Sequence, residues 1–394
     1  MGGVRSGLAG AAAGVCLMVP GGAARADSRL ELATSLGVSA SNNPLLLIGP
    51  AGKSALLVEG SVSPSWELRA STATTRASGT LRFKRYSRLY KNFTSGSVAL
   101  EREGRVSEAL SYKGLVSYDR SLTVDVVDDI SAAIDPSSLR NRLGGEASVQ
   151  WRPGLRGEWS AGTTYERVWF DQATTARNYR ALGVTAGYFH ALSEATRVGA
   201  QVRANFNRSA VSDINVVGLM ARVEHRLGPA WRVKASAGAE RVDPVGRMVG
   251  PRPAVGGTFA SGEIELCRED SYLDLCAKGG LASQETGLGT VRRRLSLESR
   301  LSYRLSERTT FALTGNYERP VGGGRVAGGG VVGGVGPVVA AGSRILQLRA
   351  DLDRRIGETL TFRVYGSYRR RELSLGKADA GYVGMELRWT PRLS

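Results

Sequence analysis

The chain has 394 residues, 23% of them charged and 42% hydrophobic, with 51 Gly and a formal charge of +17; such a chain can build a sizeable folded body and is not a disordered tail. Three cysteines (Cys16, Cys267, Cys276) and two histidines (His190, His225) provide no ligand set for a zinc finger, haem or iron–sulfur cluster, so no metal or other cofactor is expected. A mean hydropathy of −0.16, with no span of about 20 apolar, non-glycine residues after the N-terminus, excludes a bundle of membrane helices.

Met1 to Arg5 is a short basic start, Gly7 to Pro20 an apolar stretch, and Ala24-Arg25-Ala26 a small-x-small site before Asp27. This is the layout of a cleaved export signal over 1–26, with a mature chain over 27–394. Losing Arg5 and Arg25, with no acid lost, lowers the charge from +17 by two. Cys16 leaves with the peptide. Ala13-Gly14-Val15 puts neither a large apolar residue three positions before it nor a small one just before it, so a lipid anchor is not expected. The exported chain then belongs to the periplasm, the outer membrane or the medium, and the strand pattern must choose.

From Asp27 onward, period-two alternation recurs almost everywhere. Between Arg294 and Leu305, Leu295, Leu297, Leu301, Tyr303 and Leu305 share one face, and Arg294, Ser296, Glu298, Arg300, Ser302 and Arg304 share the other. Successive side chains of a strand point to opposite faces, so one face is apolar and the other wet. The runs Leu346 to Asp353 and Leu360 to Arg369 alternate in the same way. Short turns are expected at 104–107, 153–156, 193–196, 228–230, 268–270, 306–309 and 357–359. Their spacing of roughly 35 to 50 residues fits two strands of about ten residues plus one longer loop. The runs from Leu30 to Trp389 predict an all-β, closed antiparallel transmembrane β-barrel of about 18 strands, with both termini on the short-turn side. Sixteen strands is the alternative, because the runs Val62 to Ala77 and Gly256 to Glu263 are ambiguous. A soluble β-sandwich rarely needs so many strands in one unit. Trp66, Trp151, Trp159, Trp231 and Trp389 fall near the turn-side strand ends, as a membrane girdle requires.

The final strand, Tyr382 to Trp389, resembles the sorting signal read by the barrel-assembly machinery, carried here by Tyr382, Gly384, Leu387 and Trp389. That signal usually ends a chain, whereas Thr390 to Ser394 follow here.

If the apolar rows face lipid, the lumen carries Arg82, Lys84, Lys113, Arg203, Arg232, Lys234, Lys278, Arg300, Arg304, Arg349, Arg363 and Arg388. Glu31, Glu59, Glu101, Glu146, Glu240, Glu263, Glu265, Glu298, Asp351 and Asp353 share that phase, which nearly balances the charge. Much of the remaining positive charge lies at loop-side strand ends: Arg85, Arg88 and Lys91, Arg140 and Arg142, Arg292 and Arg293, Arg370 and Arg371. A positive mouth favours acidic solutes or polymers; a basic rim equally suits outer-membrane lipid and lipopolysaccharide phosphates. The acidic loop Ser121 to Arg142, with Asp125, Asp128, Asp129 and Asp135, is a candidate constriction, and the Gly- and Val-rich loop 320–342 a candidate gate. Cys267 and Cys276 flank a turn in the same phase and are expected to form a cross-hairpin disulfide in an oxidising periplasm.

Other motifs fail. Gly49-Pro50-Ala51-Gly52-Lys53-Ser54 lacks the first glycine of a phosphate loop, and an exported chain meets no nucleotide pool; nucleic acid is not an expected partner. Gly328 to Gly333 matches a dinucleotide fingerprint only through its glycine content. No Gly-x-Ser-x-Gly occurs, and both histidines fall in the lipid-facing phase, so no catalytic residue is assigned.

The stretch Ser61-Val62-Ser63-Pro64-Ser65-Trp66, through Tyr86-Ser87-Arg88-Leu89-Tyr90, to Tyr118-Asp119-Arg120-Ser121 resembles the β-barrel porin 2 group of Gram-negative outer-membrane proteins. The likeness is to members found beside exopolysaccharide assembly genes, and in architecture to the alginate export porin. The resemblance implies a conduit that passes a secreted polysaccharide to the cell surface with a periplasmic polysaccharide export protein as partner. On this reading the lumen is hydrated and charged, and its arginines bind carboxylates weakly enough to release them. The alternative is a diffusion porin for small anionic solutes, and more remotely an outer-membrane hydrolase or surface adhesin.

Overall fold

The computed structural model describes residues 27–87, 90–125, 137–171, 178–210, 213–245, 256–285, 291–321, 344–373 and 376–391. The expected export signal, Arg88, most of loop 320–342, and Asp128, Asp129 and Asp135 lie outside the described residues. Eighteen strands follow in chain order: β1 (Asp27–Ser41), β2 (Ala55–Arg69), β3 (Ala73–Tyr86), β4 (Phe93–Arg105), β5 (Leu110–Leu122), β6 (Leu139–Trp151), β7 (Gly157–Asp171), β8 (Tyr179–Ala191) and β9 (Thr196–Ser209). The second half contains β10 (Asp213–Arg226), β11 (Trp231–Val245), β12 (Gly257–Glu269), β13 (Leu273–Glu285), β14 (Val291–Ser306), β15 (Thr309–Pro320), β16 (Arg344–Arg355), β17 (Leu360–Leu373) and β18 (Gly376–Trp389).

Every strand pairs antiparallel with its sequence neighbours, and β1 also pairs with β18 from Thr34↔Trp389 to Ser41↔Tyr382. The sheet therefore closes, which removes every unpaired edge that hydrocarbon would penalise. Both ambiguous runs resolve as strands: Val62 to Ala77 is β2, a turn at Ala70-Ser71-Thr72 and the start of β3, and Gly256 to Glu263 opens β12.

Cross-strand register fixes which residues share a face. Leu36, Val58, Leu81, Val98, Val116, Leu182, Val202, Leu219, Leu297, Leu348, Val364 and Met385 all lie in the outward phase, exposed on the barrel's outer wall. Leu219 is 61% exposed and Val383 68%. A continuous belt of this kind is far larger than any patch a water-soluble chain tolerates, and it matches the apolar band of a transmembrane barrel. Trp66, Trp151, Trp159 and Trp389 project outward near the turn end, and Trp231 opens β11 in the same phase. Phe83, Tyr165 and Trp169 lie toward the loop end. Aromatic residues thus flank the belt on both sides.

The turns close on short polar side chains placed to cap backbone amides. Asp270 accepts from the Tyr272 and Leu273 amides at 2.9 and 2.8 Å, Ser193 Oγ from the Thr196 amide at 3.1 Å, and Ser107 Oγ from the Leu110 amide at 3.1 Å. Such local bonds replace the ladder where the chain reverses.

Candidate functional site: the lumen and its loop-side constriction

The inward phase is polar along most of its height. Arg82, Lys84, Lys113, Arg203, Lys234, Arg300, Arg304, Arg349 and Arg363 all fall in it, through pairs such as Ser61↔Arg82, Glu59↔Lys84, Lys234↔Glu265, Cys276↔Arg300 and Asp353↔Arg363. Most do not present a free charge. Lys113 binds Glu101 at 2.8 Å and Lys234 binds Glu265 at 2.9 Å. Arg203 contacts Glu240, which is buried to 1% exposure and also accepts from the Ser283 amide. Arg349 grips Asp351 through Nε and Nη2, and Arg363 grips Asp353 at 2.6 and 2.9 Å. Planar bidentate pairing of this kind fixes the guanidinium orientation. Arg82, Arg300 and Arg304 are exposed to the lumen and have no ion-pair partner among the described residues.

The expected basic mouth is divided by the sheet. Arg140, Arg142, Arg292 and Arg371 point inward, whereas Arg85, Arg293 and Arg370 point outward. The outer mouth is therefore not one funnel of arginines. The pore-lining candidates Arg349 and Arg363 are largely neutralised by Asp351 and Asp353.

The loop end of the lumen is narrowed from one side. The segment 42–54 between β1 and β2 turns inward and packs Leu45 and Leu46 against Ala378 and Ala380 on the inner face of β18, and against Leu122 and Val124. Its backbone is tied to the wall: Tyr382 donates to the Pro44 carbonyl at 2.6 Å, and Arg371 Nη2 to the Leu46 carbonyl at 2.8 Å. Asn43 closes the turn on itself by accepting from the Leu47 amide and donating to the Leu47 carbonyl, both at 2.9 Å. Leu46 adopts φ 51°, a left-handed conformation costly for a bulky residue, and its burial against β18 holds it there.

Beside this segment a 3-10 turn, Thr123–Asp125, leaves β5 and enters the barrel. Arg369 Nη1 donates to the Val124 carbonyl at 3.2 Å, and Asp125 lies 2.7 Å from Lys84 and 4.0 Å from Arg369. Of the four candidate constriction acids, Asp125 is the one among the described residues, and it sits inside the barrel. Sequence reading missed the partner segment, Asn43 to Ile48, and Arg369, and it placed Arg371 in the basic rim without its bond to that segment. A second apolar cluster lies half-way round the wall: Ile214, Val216 and Val242, with Val291 and Phe259.

Cys267 and Cys276 face each other across the β12–β13 hairpin and are disulfide-bonded, with Cα atoms 4.1 Å apart. Glu269 lies close by, but a bonded pair of sulfurs offers no thiolate for a metal. In β18, Tyr382 and Gly384 face the lumen while Leu387 and Trp389 face outward. His190 and His225 bond Tyr188 and Thr196 at the turn end.

No family model matches the chain, and no curated protein matches it. Among solved structures, it is similar to OprD of Pseudomonas aeruginosa at 10% identity, TM-score 0.46, with 93% of this chain and 96% of that one covered. It is also similar to OccK2 (OpdF) of the same organism, at 13% identity, TM-score 0.48 and coverage of 93% and 98%. A third is OpdK of that organism, solved with vanillate, at 13%, 0.45, and 93% and 99%. At these identities no residue role carries over.

Proposed function

We propose that the chain is a passive outer-membrane channel for small anionic solutes, with its loops toward the cell exterior and its turns toward the periplasm. The observation that carries this reading is the inward-folded pair of segments at the loop end, where Lys84 and Arg369 approach Asp125 and Arg371 holds the Leu46 carbonyl. A narrowed passage lined by cations concentrates anions, because field lines focus between low-dielectric walls. The pairing of Lys84 and Arg369 with Asp125 moderates that attraction, and moderate binding is what conduction needs, since a tightly held solute does not leave. No step of catalysis is involved.

A polysaccharide conduit working with a periplasmic export partner makes a different demand. A hydrated polymer needs a continuous open bore, and the apolar packing of Leu45, Leu46, Leu122 and Val124 inside the wall works against one. We therefore place the small-solute reading first.

The test is conduction by the purified full-length chain in planar bilayers under a salt gradient, followed by liposome swelling with monocarboxylates of increasing size. The reading predicts a reversal potential on the anion side and a sharp fall in uptake between small acids and oligosaccharides. Cation selectivity would overturn it. A deletion strain that loses secreted polysaccharide while periplasmic polymer accumulates would restore the polymer conduit.

A further inference from the structure

Three arginines form a row on the outer wall. Arg167 of β7 stands directly opposite Arg180 of β8, and Arg180 directly opposite Arg208 of β9. All three belong to the outward phase, next to the loop-side ends of their strands. The next outward row toward the membrane is Tyr165, Leu182 and Phe206, so the arginines sit where the apolar belt ends. Arg167 lies 5.8 Å from the Trp169 ring, which orients it along the wall.

Like charges placed directly opposite across a sheet repel, with Cβ atoms about 5 Å apart. Elsewhere on this outer rim Arg120 pairs with Asp171 at 2.9 Å, Arg241 with Asp243 at 3.0 Å, and Arg370 with Glu372 at 2.6 Å, whereas Arg85, Arg293 and Arg319 have no ion-pair partner among the described residues. In the row, Arg208 has Asp213 at 3.8 Å. Arg167 and Arg180 have no ion-pair partner among the described residues. The connecting sequences, Gln172 to Arg177 and Val211-Ser212, contain no acid and add Arg177. Among the described residues Asp213 is the one acid beside the row, and it reaches Arg208 alone among the three.

We propose that the Arg167–Arg180–Arg208 row binds the phosphate groups of an anionic glycolipid in the outer leaflet of the membrane. With strands about 4.8 Å apart the row spans about 10 Å, which suits a headgroup with two separated phosphates better than a single phosphate. Guanidinium forks bind phosphate oxygens through paired hydrogen bonds, and the acyl chains would lie on Tyr165, Leu182 and Phe206 below. The proposal rests on the outer-membrane reading and on the loops facing outward, and it is independent of what the lumen passes.

The test is lipid binding by the purified full-length chain in detergent. The probes are a diphosphorylated glucosamine disaccharide lipid, its monophosphorylated form, phosphatidylglycerol and inorganic phosphate. Binding is read by native mass spectrometry and by the thermal unfolding temperature. The diphosphorylated lipid should bind most tightly and raise that temperature. The triple variant Arg167→Gln, Arg180→Gln, Arg208→Gln should lose affinity by about tenfold or more, while the corresponding triple lysine variant retains most of it. Arg180→Gln alone should be at least as stable as the native chain without lipid, because it relieves repulsion, and should gain less from added lipid. Wild-type affinity in the triple glutamine variant would overturn the proposal. So would an equal loss in Arg319→Gln elsewhere on the rim, or displacement of the lipid by millimolar inorganic phosphate, which would mark a soluble-anion site. Membrane fractionation and bilayer conductance on the same variants show separately whether the channel reading holds.

Discussion

Lys84 on β3 donates a 2.7 Å hydrogen bond to Asp125 in the inward 3-10 turn, joining the barrel wall to a segment that begins beyond β5. Arg369 approaches the same carboxylate from β17 at 4.0 Å. One acid thus offsets two cations at the narrowed end. Asp125→Asn removes that charge and keeps the side chain's size, so the anion-to-cation permeability ratio should rise about two- to threefold. Reversal potentials in a salt gradient measure it, and an unchanged ratio would place the selective region elsewhere.

Arg300 and Arg363 share the inward face and differ in pairing. Arg300 is exposed to the lumen with no ion pair among the described residues, whereas Arg363 holds Asp353 at 2.6 Å with Asp351 and Glu386 near. Arg300→Ala should weaken anion selectivity with a stability change within about 0.5 kcal/mol, as for an unpaired exposed side chain. Arg363→Ala leaves Asp353 and Glu386 without that cation while Asp351 keeps Arg349, so it should shift selectivity further and cost about 1–3 kcal/mol. Denaturant midpoints alongside reversal potentials separate the two.

Leu122 is fully buried between Leu45, Leu46 and Val124. Leu122→Ala should weaken the docking of the inward segments by about 2–4 kcal/mol, the usual range for a large buried apolar side chain. The barrel ladder does not depend on this contact. The expected result is faster amide exchange over 42–54 and a larger, noisier single-channel conductance, with the exchange of strand amides unchanged. Slow exchange at 42–54 in the variant would show that the Tyr382 and Arg371 bonds hold the segment without the apolar packing.

The strands were legible because the alternation of Leu295, Leu297, Leu301, Tyr303 and Leu305 with Arg300, Ser302 and Arg304 is a local property, fixed by backbone geometry. Turns marked by Ser193, Gly228 or Asp270 were legible for the same reason. The turn at Ala70-Ser71-Thr72 was not, since it has no Gly, Pro, Asn or Asp and adjoins the small polar row Ser61, Ser63, Ser65. The inward segment 42–54 could not be read from its own residues. Asn43-Pro44-Leu45-Leu46-Leu47-Ile48 looks like a plain apolar run, and its position depends on bonds from Arg371 and Tyr382, 325 and 338 residues away in sequence. That Arg349 and Arg363 share their face with Asp351 and Asp353 was legible from the alternation, whereas which acid each arginine grips depends on side-chain geometry that the alternation does not give.

Asp270, in the turn between β12 and β13, is held below the ordinary aspartate range by the amide hydrogens of Tyr272 and Leu273 and then by Arg268. A depressed folded value means that its contribution is complete above the unfolded range, near about 3.9, and is lost as the pH falls through the folded value. Protection of the Tyr272 and Leu273 amides should therefore persist at mildly acidic pH and disappear only well below that range. In Asp270→Ala it should be weak at every pH. Equal protection in the variant and the native chain would show that the hairpin ladder and the disulfide alone fix the turn.

Closure of the barrel depends on a glycine. The β1–β18 seam runs only from Thr34↔Trp389 to Ser41↔Tyr382, and Gly384 lies within it, facing the lumen. A Cβ at Gly384 would stand 2.7 Å from the Ser39 Cβ and 2.7 Å from the Tyr365 ring. That ring in turn carries Arg349, whose guanidinium carbon is 4.7 Å from its centroid. Gly384→Ala can be met by a shift of the tyrosine and should cost about 1–2 kcal/mol. Gly384→Val presses on both neighbours and should impair formation of the heat-resistant folded band in refolding assays. If the clash with the ring is the cause, Tyr365→Ala should partly rescue Gly384→Val, giving a coupling of about 1 kcal/mol or more between the two positions. If the double variant folds no better than Gly384→Val alone, the contact with Ser39 across the seam, or loss of a glycine needed by the assembly signal, is the controlling term. Refolding into lipid without the assembly machinery separates these two: a seam clash persists there, whereas a defect in the signal formed by Tyr382, Gly384, Leu387 and Trp389 does not.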